Sequence, residues 1–167
     1  MKQMRLYLLS GAPGSGKSTY AKEWLKEHPE ATYISRDEIR FSFIKDGDGY
    51  FSKEKQVFRE FARAAKAVLD NGGTVLLDAT HLNIYSVKKI LNALQWNEEF
   101  GIIRLEVPLE VLLERNDRRL GRQYVPEDKL IEMFNKLDDA TKYCDNVWSV
   151  INISREEYKK WKNQKSL

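Results

Sequence analysis

Leu6-Tyr7-Leu8-Leu9-Ser10-Gly11-Ala12-Pro13-Gly14-Ser15-Gly16-Lys17-Ser18 is the stretch that decides the fold. The apolar run from Arg5 to Ser10 predicts a buried strand. A glycine-rich turn ends it, and a helix is expected from Lys17 to Glu27. Gly11 to Ser18 satisfies the pattern G-x-x-x-x-G-K-[ST] at every fixed position, in the strand–turn–helix context that the pattern requires. Its glycines let successive backbone N–H groups turn into one concavity, which the positive end of the following helix reinforces as an anion site. Lys17 is expected to reach the β- and γ-phosphates of ATP, and the Ser18 hydroxyl to ligate Mg²⁺. Gly11, Ala12, Pro13, Gly14, Ser15, Gly16, Lys17, Ser18 and Thr19 are therefore the candidate nucleotide contacts.

Outward from that loop, apolar runs alternate with helical patterns. Strands are expected at Ala31–Ser35, Thr74–Asp78, 102–107 and 147–153. Helices are expected from Arg36, over 53–70, through Leu82, Val87, Ile90, Leu91 and Leu94 as one inward face, over 109–120, from Pro126 and over 155–162. Val57, Phe58, Phe61, Ala65 and Val68 recur at spacings of three and four, which places them on one helical face. Leu130, Phe134, Leu137 and Thr141 do the same for the helix that Pro126 opens. A β-α unit repeated about five times predicts an α/β fold, a three-layer P-loop NTPase architecture with a parallel sheet and helices on both faces. Asp46-Gly47-Asp48-Gly49 reads as a loop, and Tyr50 and Phe51 stand where a calcium loop would need other residues.

The 167 residues suit one domain, 1–167. A formal net charge of +3 permits anionic partners without requiring them. No segment has the form of a signal peptide or the length of a membrane span. Cys144 is the single cysteine, so no internal disulfide can form. These features lead to the expectation of a cytoplasmic chain without a membrane partner, with Cys144 an inert packing residue.

Asp37 follows the end of the second strand, the edge of an open α/β sheet where ligands bind. It is the candidate to orient and deprotonate an attacking hydroxyl. Arg40 lies one helical turn on and suits an acceptor that carries its own phosphate. The same residues also read as the charged, capped start of a helix. Asp78 closes an apolar strand, where a carboxylate can sit near Mg²⁺ or cap the next turn. Thr80 and Asn83 can touch an acceptor or cap a helix, and His81 reads as a solvated loop residue. Arg115, Arg119 and Arg122 share one face if their helix runs on, making a small lid over roughly 115–126 that brings arginine to the transferring phosphate. A basic helix C-terminus is the alternative. No Asn-Lys-x-Asp motif supports a GTPase.

Taken together, Gly14-Ser15-Gly16-Lys17-Ser18-Thr19, Ser35-Arg36-Asp37-x-x-Arg40, Asp78-x-Thr80-x-x-Asn83, Val107-Pro108 and Arg115-Asn116-x-x-Arg119 resemble the kinase domain of phage-type polynucleotide 5′-kinases. The resemblance spans roughly residues 4 to 145. It implies an adenylate-kinase-like fold with a central five-stranded parallel sheet. It also implies Asp37 as general base, Arg40 on the phosphate 3′ to the acceptor hydroxyl, Arg119 on the donor phosphates and Asp78 in the active site. The phosphatase domain that follows the phage kinase is not expected before Leu167, and the loop from Arg122 to Tyr124 differs in length. The partners expected are ATP and 5′-hydroxyl DNA or RNA ends. Tyr50 and Phe51 are available to stack on a base, and Arg36, Arg40, Lys45 and the 115–122 arginines to form a basic entrance. The alternatives are a P-loop kinase of a small acceptor (a nucleotide, sugar or antibiotic) and a nucleotide-binding regulatory module. The basic tail from Lys159 reads as a solvated terminal helix.

Overall fold

Alternating side chains along three apolar strands build both faces of one parallel sheet. The computed structural model describes residues 4–137, 142 and 144–165. Strand β1 (Leu6–Ser10) lies at the centre, flanked by β3 (Thr74–Asp78) and β4 (Gly101–Glu106), with β2 (Ala31–Ser35) and β5 (Val147–Ile151) at the edges. Every pairing in the order β2-β3-β1-β4-β5 is parallel. The expected architecture, a five-stranded parallel sheet with helices on both sides, is the one observed.

Leu6, Leu8, Val75, Leu77 and Ile102 face one way and meet helices α3 (Glu54–Asp70) and α4 (Ile84–Leu94) through Phe61, Ala65, Val87 and Ile90. Leu9, Leu76, Ile103 and Leu105 face the other way and meet helix α1 (Lys17–Glu27) through Ala21, Tyr20 and Trp24. A third cluster joins Ala12 and Val107 to helices α5 (Leu109–Asp117), α6 (Glu127–Asn135) and α7 (Arg155–Lys165). Each fully buried leucine or isoleucine contributes about 1.5–3 kcal/mol. The P-loop is thus wedged between the sheet core and this third cluster. The register brings Ser35, Asp78 and the end of β1 to one edge of the sheet, where Ser35 lies opposite Asp78 and Asp78 opposite Leu9.

Four expectations are corrected. Helix α4 begins at Ile84 because Asn83 caps it, so Leu82 lies before the helix and not on its inward face. Helix α5 ends at Asp117, not near Leu120. The buried side-chain amide of Asn116, in the last turn of α5, donates to the Val125 carbonyl (2.7 Å) and accepts from the Val125 N–H (3.1 Å), and Gly121 then turns at φ 60° into a short 3₁₀ turn, Gly121–Gln123. Arg115 and Arg119 therefore do not continue on one helical face. The basic tail is not merely solvated, because Trp161 packs into the third cluster and Lys160 pairs with Glu114. His81 is buried rather than exposed. Thr141 and the side chain of Arg122 lie outside the described residues. Among the described residues no helix is long and apolar enough to cross a membrane.

Candidate active site

The loop after β1 needs backbone shapes that only glycine adopts readily. Gly14 and Gly16 sit at φ 86° and 82°. At Gly11 a Cβ would stand 2.5 Å from the Ser15 hydroxyl. Helix α1 starts at Lys17 with Gly16 as N-cap and no side-chain cap, so its first N–H groups are left for an anion. Lys17 Nζ donates to the carbonyls of Gly11 (3.0 Å) and Ala12 (3.2 Å). Burial lowers its pKa, Asp78 and Asp37 pull it back up, and Arg119 lowers it. The loop is braced from behind. Asn152 Nδ2 donates to the Ser15 carbonyl (2.5 Å), and Arg115 Nη1 donates to the Gly14 carbonyl (2.8 Å).

Arg115 is itself held by both oxygens of Glu157, at 2.8 and 2.9 Å. That hydrogen-bonded pair lowers the Glu157 carboxyl to about 2. Arg115 was expected on the donor phosphates. It is instead spent on the P-loop backbone and on α7, and it does not line the cleft.

That cleft, about 370 Å³, is lined by the P-loop, Arg36, Asp37, Arg40, Tyr50, Phe51, Glu54, Asp78, Thr80 and Arg119. Asp78 Oδ2 accepts from Ser18 Oγ (3.0 Å) and from the Tyr33 hydroxyl. Burial, then the bond to Asp78, raises the Tyr33 pKa, so it stays a neutral donor. Ser18 and Asp78 are a hard-oxygen pair beside the phosphate cradle, which fits Mg²⁺. No group of three His, Cys, Asp or Glu could hold a metal among the described residues. The remaining ligands would have to be water and phosphate, as is usual for this ion.

On the other wall, Ser35 Oγ caps helix α2 (Arg36–Phe43) by accepting from the Glu38 N–H at 3.2 Å. This cap aims Asp37 and Arg40 into the cleft. Arg40 is only 5% exposed. Its Nε and Nη2 donate to the two oxygens of Glu54, at 3.2 and 2.8 Å, and its Nη1 donates to Asp37 Oδ1 and to Tyr50 Oη (2.8 Å). Arg36 Nη2 shares Glu54 Oε1 at 2.5 Å. The guanidinium expected on an acceptor phosphate is thus enclosed by two carboxylates and a phenol. Arg119 lines the cleft and donates to the Gln123 carbonyl at 3.3 Å. Thr80 lines it too, and its carbonyl accepts from the Gly11 N–H at 3.0 Å. Asn83 caps α4 in a reciprocal pair with Ser86 and does not line the cleft. Tyr33 and Glu54 carried no motif that marked them. Each reaches the site only through folding, one from an edge strand and one from the first turn of α3.

His81 sits directly behind the loop at φ 42°. Its Nδ1 lies 2.6 Å from the Leu9 carbonyl, which can only accept, so Nδ1 carries the proton. Burial lowers its pKa to about 4. The unfolded chain takes up a proton near pH 6.5 that the native state refuses until about pH 4, so acid destabilises. Stability should fall by up to about 1.4 kcal/mol per pH unit across that window. Melting temperatures from pH 7.5 to 4.5 should decline in the native chain and decline less in His81→Gln. Parallel curves would rule out His81 as the source.

A single parallel sheet and a P-loop opening into a carboxylate-lined cleft define the α/β P-loop NTPase fold. Residues 6–141 match the family AAA_33, described as an AAA domain, and the chain belongs to that family. The chain is 31% identical over 162 residues to the L-seryl-tRNA(Sec) kinase of Methanococcus maripaludis, covering 89% of this chain and 58% of that protein. It is 35% identical over 150 residues to a putative bifunctional polynucleotide kinase/RNA ligase of Autographa californica nuclear polyhedrosis virus, covering 79% and 20%. The chain therefore spans from a fifth to about three-fifths of these relatives. A structure of the Pnkp1/Rnl/Hen1 RNA repair complex superposes with a TM-score of 0.69 at 23% identity, covering 82% of this chain and 45% of that one, a likeness of fold. What the chain shares with these relatives is the P-loop domain of the AAA_33 family.

Proposed function

We propose that the chain transfers the γ-phosphoryl group of ATP, with Mg²⁺, to the 5′-hydroxyl of a polynucleotide. The observation that carries this reading is Asp37, a carboxylate in the same cleft as the P-loop and close enough to Lys17 to influence its charge. In this reading the first-turn N–H groups of α1 and Lys17 hold the donor phosphates. Ser18 and Asp78 would hold the metal, which would neutralise charge on those phosphates. Asp37 takes the proton of the attacking hydroxyl as its oxygen bonds to the γ-phosphorus and the bond to the bridging oxygen breaks. Arg119 places positive charge beside the transferring group from a short lid, roughly 115–126. The viral relative, described as a polynucleotide kinase/RNA ligase, supports the acceptor class.

One observation favours a second reading. Arg40 is so fully engaged with Glu54, Asp37 and Tyr50 that it is poorly placed to receive an acceptor phosphate. That suits a hydroxyl on an acceptor without a neighbouring phosphate, and the archaeal relative is described as an L-seryl-tRNA(Sec) kinase.

Transfer of labelled γ-phosphate to a 5′-hydroxyl oligonucleotide separates the two, with a 5′-phosphorylated oligonucleotide and an aminoacylated tRNA beside it. Label on the first alone is the expected result, and it should vanish with EDTA. Label on the seryl hydroxyl alone, or on no acceptor while ATP still binds, would remove the polynucleotide reading.

A further inference from the structure

The loop from Lys45 to Lys53 carries a group that the phosphotransfer scheme above does not use. Tyr50 Oη donates to Asp37 Oδ1 at 2.7 Å and accepts from Arg40 Nη1 at 2.8 Å. Its ring lies under the Arg40 guanidinium, 4.3 Å from centroid to Cζ, and meets Phe51 and Phe41 edge-on at 4.6 and 6.2 Å. Such packing fixes where the hydroxyl points. Oδ1 of Asp37 is therefore bound twice, by a phenol and by a guanidinium, while the Asp37 side chain as a whole remains 58% exposed toward the cleft.

From this geometry we infer that Tyr50 is a positioning residue for phosphotransfer. Its hydroxyl, with Arg40, pins Oδ1 so that Oδ2 is the oxygen that receives the acceptor proton. The inference rests on Asp37 as the base proposed above and deepens that reading. A carboxylate with one oxygen anchored cannot rotate freely, so its second oxygen keeps one direction, and little reorganisation is left for the reacting step. Tyr50 remains protonated, since burial and then Asp37 raise its pKa, so the phenol acts as donor and not as a competing base.

The charged and titratable groups that share the cleft with Asp37 come from every side: Arg36 and Arg40 on α2, Tyr50 on the loop, Glu54 on α3, Lys17 beside the P-loop, Asp78 at the end of β3 and Arg119 beyond α5. Of these, Tyr50 is the neutral donor whose loss changes no formal charge. Tyr50→Phe therefore isolates one hydrogen bond and leaves the aromatic packing in place.

The test is the pH profile of phosphoryl transfer by Tyr50→Phe, together with carbon-detected NMR titration of the Asp37 carboxyl in the full chain. Loss of one hydrogen bond should lower kcat about three- to ten-fold. A carboxylate that loses a donor is harder to ionise, so the acid limb of the profile should move to higher pH, and the carboxyl titration should move the same way. The KM for ATP should not follow. A fall in acceptor KM with an unmoved acid limb would overturn the inference, because Tyr50 would then be occupying the acceptor's place on Oδ1. An unmoved carboxyl titration would overturn it whatever the acceptor. Should the native chain phosphorylate no oligonucleotide, the polynucleotide reading fails on its own, and the titration still decides the role of Tyr50.

Discussion

Asp37→Ala lowers kcat/KM for phosphoryl transfer about 10²- to 10⁴-fold, the usual worth of a positioned general base, with little change in ATP binding. The donor half of the site explains the split. Lys17, Ser18 and the N-terminus of α1 are built from the P-loop and β3, and none of their hydrogen bonds passes through Asp37. The acceptor half does depend on it, since Asp37 Oδ1 receives both Arg40 Nη1 and the Tyr50 hydroxyl. Alanine therefore removes a base and also unties two neighbours. Asp37→Asn separates these effects, because its carbonyl oxygen can still accept from Tyr50 while the amide cannot take a proton. Asparagine should be nearly as inactive as alanine but closer to the native chain in thermal stability. Steady-state kinetics with an acceptor that the native chain phosphorylates reads the first, and a melting curve the second. An asparagine variant with more than about a tenth of native kcat would show that proton removal is not what Asp37 supplies.

Glu54→Ala has the largest expected effect on stability among the cleft residues. Glu54 accepts from Arg40 at 2.8 and 3.2 Å and from Arg36 at 2.5 Å, and Arg40 is 5% exposed. Removing the carboxylate leaves a nearly buried guanidinium with Asp37 as its one remaining anionic partner. Breaking one partner of a buried pair typically costs about 3–5 kcal/mol. The Glu54 side chain is 30% exposed and Asp37 remains, so about 2–4 kcal/mol is the better expectation here. At this chain length that corresponds to a drop of roughly 5–12 °C in melting temperature. Transfer should fall as well, because Arg40 would lose the clamp that aims it at Asp37. A double-mutant cycle with Arg40→Met assigns the loss to the pair. A melting point within about 1 °C of native would mean that Glu54 does not hold Arg40 in solution.

How much of this could be read beforehand differs between the two halves of the cleft. The donor half is local. Gly14 and Gly16 at positive φ, the uncapped start of α1 and the strand before it all lie within 5–27, so short-range constraints specify them without help from the rest of the chain. The strand and helix boundaries of Lys17–Glu27, Ala31–Ser35 and Thr74–Asp78 follow for the same reason, since each apolar run has a clear stop signal at its end. The C-terminal end of α5 is different. There the Asn116 side chain ties the returning chain at Val125 to the last turn of the helix, a contact made with a residue beyond it. With it went the shared arginine face, and Arg115 proved to be a brace on Gly14 anchored by Glu157, which is 42 residues away.

The sequence by itself determined the parallel α/β sheet, the phosphate cradle and the placing of Asp78 at a strand end and Asp37 just beyond one, because periodicity and glycine geometry act over a few residues. Only the tertiary structure decided which charges neutralise one another. Glu54 reaches Arg40 across 14 residues, Tyr33 reaches Asp78 across 45, and His81 turns inward to the Leu9 carbonyl across 72. No local rule links such pairs. Buried polar groups must find partners wherever the packed core brings them, and the order of helices around the sheet determines who is within reach.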